Sequence, residues 1–497
     1  MKEVKDSGGK AGRQLSAFSF FKAAGAVDVL KKDPVTREIC ALAVERGIDA
    51  YLVGGMLRNI VLEGSPGRDR DLCVDGDVKG FAEGLAGRLG GSFFLMDEES
   101  RTYRVVVKDG VKHTIDVSPV KEGDIVMDLE KRDFTVNALA VPAADILHGE
   151  RVRVIDPCGG LDDARRRVLK VVAQGAFDDD PLRLLRAVRL SQQCRLSMEE
   201  ATSDLVRDKA HLIAEAARER VRDELLLIFS CAGSAQAIES LYELGMVGYI
   251  LPEIKGWRDV QGYDLLSHSL KTLGEAERIL TDPVVSEYPL LGYHLESEVA
   301  GVKRYAVFKL AAFLHDIGKP ATMKTSDGEL SFMGHDVKGE ELVKVILRRL
   351  RFGRKVIRLV ATIVRNHHRV FTLASIDDPS RRAKSHFFNA VGGDTGLDLL
   401  CLGLADARAT RGGEDPGLRE RVGQMLEFYF DVYTRKPPKP LMGGHEIMET
   451  FGVPQGVMVG EIMRKIARGI EDGAVRNRKD AVRYVKKWLA DREEGGK

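Results

Sequence analysis

Several classes of protein are excluded by what this 497-residue chain lacks. Its six cysteines (Cys40, Cys73, Cys158, Cys194, Cys231 and Cys401) are scattered and form no C-x-x-C pair. Zinc-ribbon and disulfide-scaffold readings therefore have no support, and reduced thiols are expected. Long apolar runs are also missing. The best candidate, 305–314, is interrupted by Lys309, so no transmembrane helix and no membrane association are expected. The N-terminal "MKEVKDSGGKAGRQ" lacks the apolar core of a signal peptide, and a cytoplasmic protein is expected. Charge of one sign is not in excess: 76 basic residues meet 75 acidic ones, for a net +1. Any nucleic-acid surface must then be a local cluster. No repeat or low-complexity tract is evident.

What is present is a soluble globular composition, 44% hydrophobic and 30% charged, at a length that implies roughly two to four domains. Residues 1–35 read as a loosely ordered N-terminal extension. From 36 to 145, strand and helix patterns mix: "GIDAYLVGG", "DLCVDG", "RVVVKDG" and "HTIDVSPV" read as strands bounded by Gly, Pro and Asp. From about 160 the apolar spacing is three and four, as in "PLRLLRAVRLSQQ". Breaks near 251–264, 412–417 and 435–440 divide the helical remainder. The fold class expected is α+β: a mixed-sheet head at 36–145, a helical neck and body at 146–255, a helical domain at 256–435 and a small helical tail at 436–497.

Within "GRDRDLCVDG" (67–76), Asp69 and Asp71 are two apart at the head of a strand. Residues i and i+2 share a strand face, so the two carboxylates stand side by side while Leu72 and Val74 face the other way. Paired carboxylates suit Mg²⁺, and metal ions held by carboxylates are the usual apparatus of nucleotidyl transfer. Asp116 in "HTIDVSP" is the candidate third carboxylate. An EF-hand fails, because Cys73 and Val74 stand where that loop needs a ligand and a glycine. Upstream, Gly54-Gly55 lies between a strand and a helix start, a place for phosphate, with Arg58 one turn in.

With "KRDFTVNALA" (131–140), "IDPCGGLDDARRRVLKVV" (155–172), "FDDDPLRLLRAVRL" (177–190) and "ERVRDELLLIF" (219–229) following in order, the chain resembles the class II tRNA nucleotidyltransferase and bacterial poly(A) polymerase family. The resemblance implies a polymerase-beta-type head that binds Mg²⁺, CTP or ATP and a tRNA 3′ end. Carried over by position, it implies that Asp69 and Asp71 bind the metal and that Gly54, Gly55 and Arg58 form the triphosphate turn. It implies ribose and triphosphate contacts for Arg132, Asp133 and Asn137, and a protein template for the base in Asp180 and Arg183. On a helix, residues i and i+3 share a face, and an acceptor beside a donor matches the amino group and ring nitrogen of cytosine or adenine. Arg186 and Arg189 read instead as surface salt-bridge residues. Three positions depart from the family pattern: Asn59, Lys131 and Asp179. The stretch between Asp116 and Asp128 is shorter than in full CCA-adding members, which resembles the CC-adding branch. A poly(A) polymerase is the near alternative.

A second motif, "AAFLHDIGKP" (311–320), resembles the HD phosphohydrolase superfamily. That resemblance implies a metal site built from His268, His315, Asp316, His335, His367 and Asp406, with Lys319 as a phosphate contact. Imidazole with carboxylate suits Mn, Fe, Ni or Zn, or Mg²⁺ where oxygen dominates. His368 reads as an exposed neighbour. An HD phosphohydrolase whose head only binds RNA is the alternative from another class. The basic stretch 344–359 and the tail helix after Gly456 are possible RNA contacts or ordinary helix faces. Nothing in the sequence indicates an oligomeric state.

Overall fold

The computed structural model describes residues 18–20, 24–109, 111–148, 152–260, 262–326, 329–435 and 441–494. The chain divides into two compact units, residues 1–232 with 236–252, and residues 253–497 with 233–235.

The first unit is built on an eight-stranded mixed sheet in the order β1-β8-β7-β2-β3-β6-β5-β4. Its strands are β1 (Phe18–Phe20), β2 (Asp49–Val53), β3 (Asp69–Asp75), β4 (Ser92–Asp97), β5 (Thr102–Asp109), β6 (Val111–Pro119), β7 (Ala140–Pro142) and β8 (Arg153–Ile155). Among these, β3 and β6 pair in parallel, with Asp71 opposite Asp116, and the neighbouring pairs are antiparallel. On one face of β3, Leu72 and Val74 are fully buried beneath α2 (Pro34–Arg46) and α4 (Val78–Arg88). Burying each such side chain contributes about 1.5–3 kcal/mol, which pins the register of β3 and turns Asp69 and Asp71 to the opposite face. Arg70 shares the buried face. Its guanidinium pairs at 2.7 Å with Asp33, whose other oxygen caps α2 by accepting the Thr36 N–H.

The segment expected as a loose extension is partly built in. Phe18–Phe20 pair with Ile155, Val154 and Arg153 of β8, and α1 (Ala24–Lys32) precedes α2. Residues 1–17 and 21–23 lie outside the described residues. After the sheet come α6 (Arg183–Gln193) and α7 (Arg218–Ser230), preceded by α3 (Gly55–Glu63) and α5 (Ile125–Glu130) within the head.

The second unit is helical. It contains α8 (Leu265–Arg278), α9 (Arg304–Leu314), α10 (His335–Arg349), α11 (Arg354–Asn366) and α12 (Thr395–Arg411), followed by a tail with its own small core around Ile447, Ile462 and Val485. No helix among the described residues is long and apolar enough to cross a membrane. Lys309, which breaks the apolar run of α9, is fully buried and pairs with Glu277 at 3.3 Å. Nearby, Asp398 is fully buried between Arg304, whose Nη2 donates at 2.6 Å, and His294 at 3.3 Å. Burial works to raise this carboxyl, but the bonds from His294 and Arg304 outweigh it and hold it below the ordinary range. Asp398→Ala leaves Arg304 buried and uncompensated, so the second unit loses about 3–5 kcal/mol in urea unfolding. Because the folded value is depressed, this stabilisation is whole above the unfolded carboxylate value of about 3.9 and fades as pH falls through the folded one.

Candidate active site and metal centre

The strand β2 ends at Val53 and the chain turns at Gly54, with φ 76° and ψ −143°, to enter α3. The turn requires glycine twice over. A positive φ disfavours a side chain, and a Cβ on Gly54 would lie 2.9 Å from Asp71 Oδ2 and 3.1 Å from Arg132 Nη1. The turn, the carboxylate and the guanidinium are thus packed against one another. They border a cavity of about 470 Å³ lined by Gly54, Gly55, Arg58, Asp69, Asp71, Arg132, Asp133, Asn137, Asp180 and Arg183, among others. Ten of the eleven residues expected to serve nucleotide transfer line this single cavity.

The eleventh, Asp116, does not. It stands opposite Asp71 across the β3–β6 pair, but both its oxygens accept from Arg104, from Nε and Nη2, each at 2.7 Å. Among the described residues, Asp69, Asp71 and Asp116 do not close into a trio of oxygens at metal-ligand spacing. Asp69 and Asp71 still fit a divalent cation. Asp71 is an exposed residue that lines the cavity, and the protein packed around its carboxyl raises it above the ordinary range, against the pull of Arg132. A carboxylate so placed lacks the positive charge that a hard cation would supply.

The cations beside it are fixed in a network. Arg132 donates from Nε and Nη2 to buried Asp128 at 3.3 and 3.2 Å. Arg58 Nη1 donates to Asn137 Oδ1 at 2.6 Å, and Asn137 Nδ2 donates to Asp133 Oδ1 at 3.1 Å. Burial acts to raise the Asp133 carboxyl, but Arg186, Asn137 and the Phe134 N–H together hold it below its usual value. Asn59, the departure from the family pattern, accepts from Arg58 Nη2 at 2.9 Å and so keeps hold of that arginine.

Three details differ from expectation. Asp180 and Arg183 do not share a helix face, because Asp180 is extended (φ −149°, ψ 99°) before Pro181 and α6 begins only at Arg183. A residue preceding proline is driven out of the helical region. Both side chains nevertheless line the cavity. Secondly, Arg186 and Arg189, read as surface salt-bridge residues, do pair, with Asp133 and Glu224, but they also line the cavity, with Leu190 and Gln193. Spacings of three and four along α6 carry that signal; an arginine stripe of this kind is usually a solvated face, which hid it. Thirdly, Arg183 donates to backbone carbonyls, those of Lys131 at 2.9 Å and Ala176 at 3.2 Å.

In the second unit the residues singled out from the HD motif come together at helix ends. His268 lies in α8, His315 and Asp316 follow α9, His335 opens α10, His367 and His368 follow α11, and Asp406 lies late in α12. His315, His335 and His367 each hydrogen-bond through Nδ1 to the carbonyl three residues earlier, at 2.8, 2.8 and 2.7 Å. With Nδ1 as donor, each Nε2 presents a lone pair. Two of these lone pairs face each other, those of His335 and His367 at 3.3 Å, and His268 Nε2 lies 3.3 Å from that of His315. Facing lone pairs repel unless a cation lies between. Asp316 Oδ1 is a buried oxygen with no well-formed hydrogen bond, 3.3 Å from His335 Nε2 and 3.6 Å from His367 Nε2. Its Oδ2 is 3.3 Å from His268 and 3.2 Å from His315. Two trios of ligand atoms at metal-binding spacing result, His268–His315–Asp406 and His335–His367–His368, with Asp316 between them. The donors fit a divalent transition metal.

His368 is more than an exposed neighbour. Its residue is exposed, yet its Nε2 lies 2.9 Å from that of His335. Its successor position to His367 at a helix end allows both rings to reach one centre. Lys319, expected to be a phosphate contact, has its ammonium 2.6 Å from Asp316 Oδ2 and borders a 520 Å³ cavity with Tyr263, Lys271 and Thr410.

With this geometry in view, comparison with known proteins is decisive. Residues 50–170 match the poly(A) polymerase head domain, 195–257 the probable RNA- and SrmB-binding site of polymerase A, and 265–410 the HD domain. The A-adding tRNA nucleotidyltransferase of Deinococcus radiodurans is 32% identical over 89% of this chain and 96% of its own. The chain belongs to the CCA-adding tRNA nucleotidyltransferase family. It is an enzyme of nucleotidyl transfer with an HD domain behind the head. Within the family, the CC-adding enzyme of Geobacter sulfurreducens is 28% identical over 91% of this chain and 95% of its own, so relatives of both specificities are similar to it. A solved CCA-adding enzyme in complex with ATP has the same fold, with a TM-score of 0.65 and 21% identity over 95% of this chain and 99% of that one.

Proposed function

We propose that this tRNA nucleotidyltransferase adds C residues to the tRNA 3′ end and adds the terminal A poorly. The carrying observation is how short and tethered the link between β6 and α5 is. Pro119 ends β6 and Ile125 opens α5, and Glu122 in the intervening turn pairs with Lys131. The Lys131 carbonyl in turn accepts from Arg183. A link this short leaves little spare chain with which to reshape the pocket from a pyrimidine to a purine. A poly(A) polymerase, which must seat a purine repeatedly, fits it less well.

In this reading the RNA 3′ hydroxyl attacks the α-phosphorus of CTP, a new phosphodiester bond forms, and the bond to pyrophosphate breaks. Asp69 and Asp71 would hold Mg²⁺, which supplies charge neutralisation at the reacting phosphate. Gly54 and Gly55 let the triphosphate approach the backbone at the start of α3, where helix N–H groups favour anions. Arg58 and Arg132 counter its charge, Asn137 and Asp133 meet the ribose, and Asp180 and Arg183 read the base. Exposed Arg348, Arg354, Lys355 and Arg358 in the basic stretch are suited to tRNA phosphates, giving affinity without sequence readout. The five-part division at 35, 145, 255 and 435 is our assignment of head, neck and body, HD domain and tail.

The test supplies tRNA lacking its 3′ end with CTP alone, ATP alone, or both. Two C additions from CTP are expected, with little further extension when ATP is present. Efficient A addition onto tRNA ending in CC would overturn C specificity, and long A tracts would support the poly(A) polymerase.

The converging Nε2 atoms around Asp316 favour a second activity. We propose that the HD domain binds a pair of transition-metal ions through His268, His315, Asp406, His335, His367 and His368, with Asp316 shared. It would hydrolyse phosphoesters such as 2′,3′-cyclic ends, with Lys319 and Lys271 close to a bound phosphate.

A further inference from the structure

Three neighbouring strands of the head are ordered by what they bury. Val105 of β5, Ile115 and Val117 of β6 and Leu72 of β3 all belong to the apolar core. Successive residues of a strand point to opposite faces, so Arg104, Asp116 and Asp71 share the other face. They are also register partners: Asp71 stands opposite Asp116, and Asp116 opposite Arg104. Paired strands lie about 4.8 Å apart, so the three side chains form a row across the sheet.

Within that row the charges are shared unevenly. Burial raises the Asp71 carboxyl, Arg132 opposes the rise, and the charge of Asp116 adds to it. The bonds to Asp116 hold the Arg104 guanidinium above its ordinary value against the cost of burial, and Asp69 and Asp71 add to this through charge. Arg104 thus feels all three carboxylates but bonds to one, donating from Nε to Oδ1 and from Nη2 to Oδ2, each at 2.7 Å. The two side chains are 31% and 25% exposed, so solvent screens the pair only in part. A cation that took Asp116 would have to displace a two-point, charge-assisted pair and leave a guanidinium facing it.

We infer that Arg104 is a positioning residue that sets how tightly the head takes a divalent cation: by occupying both oxygens of Asp116, it keeps a third carboxylate out of the cation site and leaves Asp69 and Asp71 to hold the ion alone. The number of charged ligands tunes the affinity of an oxygen site, and Mg²⁺ is commonly held by one or two carboxylates together with substrate phosphates. With Asp116 withheld, the nucleotide triphosphate supplies the remaining ligand charge. The idle head therefore binds Mg²⁺ weakly and takes it up together with the nucleotide. Arg104 does not line the nucleotide cavity, so it acts through Asp116 and not on the nucleotide. The inference rests on the proposed metal-binding role of Asp69 and Asp71.

The test titrates Mg²⁺ into the full-length, nucleotide-free protein by isothermal calorimetry. Heat that persists in Asp69→Asn/Asp71→Asn belongs to other sites and is subtracted. Arg104→Met frees Asp116 and is expected to tighten Mg²⁺ binding by about 10-fold, since one more carboxylate faces the ion and one cation fewer opposes it. Arg104→Met/Asp116→Asn removes both partners and should return the affinity to the wild-type range. Arg104→Lys keeps the charge without the fork and should fall between wild type and Arg104→Met. The Mg²⁺ concentration for half-maximal CMP incorporation should follow the same order. An affinity unchanged or weakened in Arg104→Met, while Asp69→Asn/Asp71→Asn loses Mg²⁺ heat, overturns this inference alone. So does an Arg104→Lys equal to wild type, which would mean that charge at a distance acts and not the fork; this variant also decides the matter if Arg104→Met does not fold. No Mg²⁺ heat above the Asp69→Asn/Asp71→Asn control, in wild type or in Arg104→Met, defeats the metal role of those aspartates and this inference with it.

Discussion

Asp71→Asn is expected to lower CMP incorporation on the order of 10³-fold, and Asp69→Asn similarly, because each removes a charge that would hold the metal beside the reacting phosphate. A bound cation is worth several kcal/mol to such a reaction, and about 1.4 kcal/mol is a factor of ten. Asparagine keeps the shape of the side chain, so the loss would report charge and not a cavity. Stability gives the second readout. The Asp71 carboxyl is raised by the protein that shields it from water. For an acid with a raised folded value, the folded state binds the extra proton, and stability falls as pH rises through that range. At neutral pH and without divalent cation, the ionised Asp71 is therefore a net cost. The neutral asparagine should melt at or above the wild-type temperature in EDTA, and excess Mg²⁺ should raise the wild type more than the variant. A variant that lost activity and also melted well below wild type in EDTA would point to misfolding and count against the metal role.

The placement of Asp71 was open to sequence reasoning because it rests on a period of two. Leu72 and Val74 had to be buried, so Asp69 and Asp71 had to face the other way. The Gly54 turn was equally legible, since a strand followed by Gly-Gly and a helix leaves few other folds. Arg104 could have been found as well. It and Asp116 are register partners on the antiparallel strands β5 and β6. Taken alone, "HTIDVSP" offers Asp116 to a metal; with its cross-strand neighbour Arg104 beside it, the carboxylate is already paired. Other features had no local signal. Asp180 and Arg220 are forty positions apart and meet only because α7 packs on α6. The extended Asp180 was readable from Pro181, but the helical pattern beyond it pulled the expected helix too far upstream. His368 reads as an exposed neighbour of His367, since a single residue step along a helix turns a side chain by about 100°. At the end of α11 that turn still leaves its ring within reach of His335.

Five histidines and two aspartates converging in the second unit predict a large effect from one residue. Asp316 lies between both trios, within 3.2–3.6 Å of His268, His315, His335 and His367. Asp316→Ala is expected to empty the site of transition metal as purified, read by elemental analysis. His368→Ala and His268→Ala should each remove one ion of a pair, since each belongs to a different trio. Hydrolysis of a 2′,3′-cyclic nucleotide or of bis(p-nitrophenyl) phosphate should fall on the order of 10²-fold or more in Asp316→Ala and in His315→Ala, because the water that attacks phosphorus loses its activating charge. CTP incorporation, which we assign to residues of the first unit, is the internal control and should persist. Chelation should lower the melting temperature of the second unit in the wild type, because a ligand bound only by the folded state stabilises it by mass action. In Asp316→Ala chelation should do little. A protein purified without transition metal, whose phosphoesterase activity is also unaffected by His315→Ala, would leave the converging imidazoles as a relic of the fold; metal retained by His315→Ala with hydrolysis lost would instead assign that histidine to the chemistry and not to metal affinity.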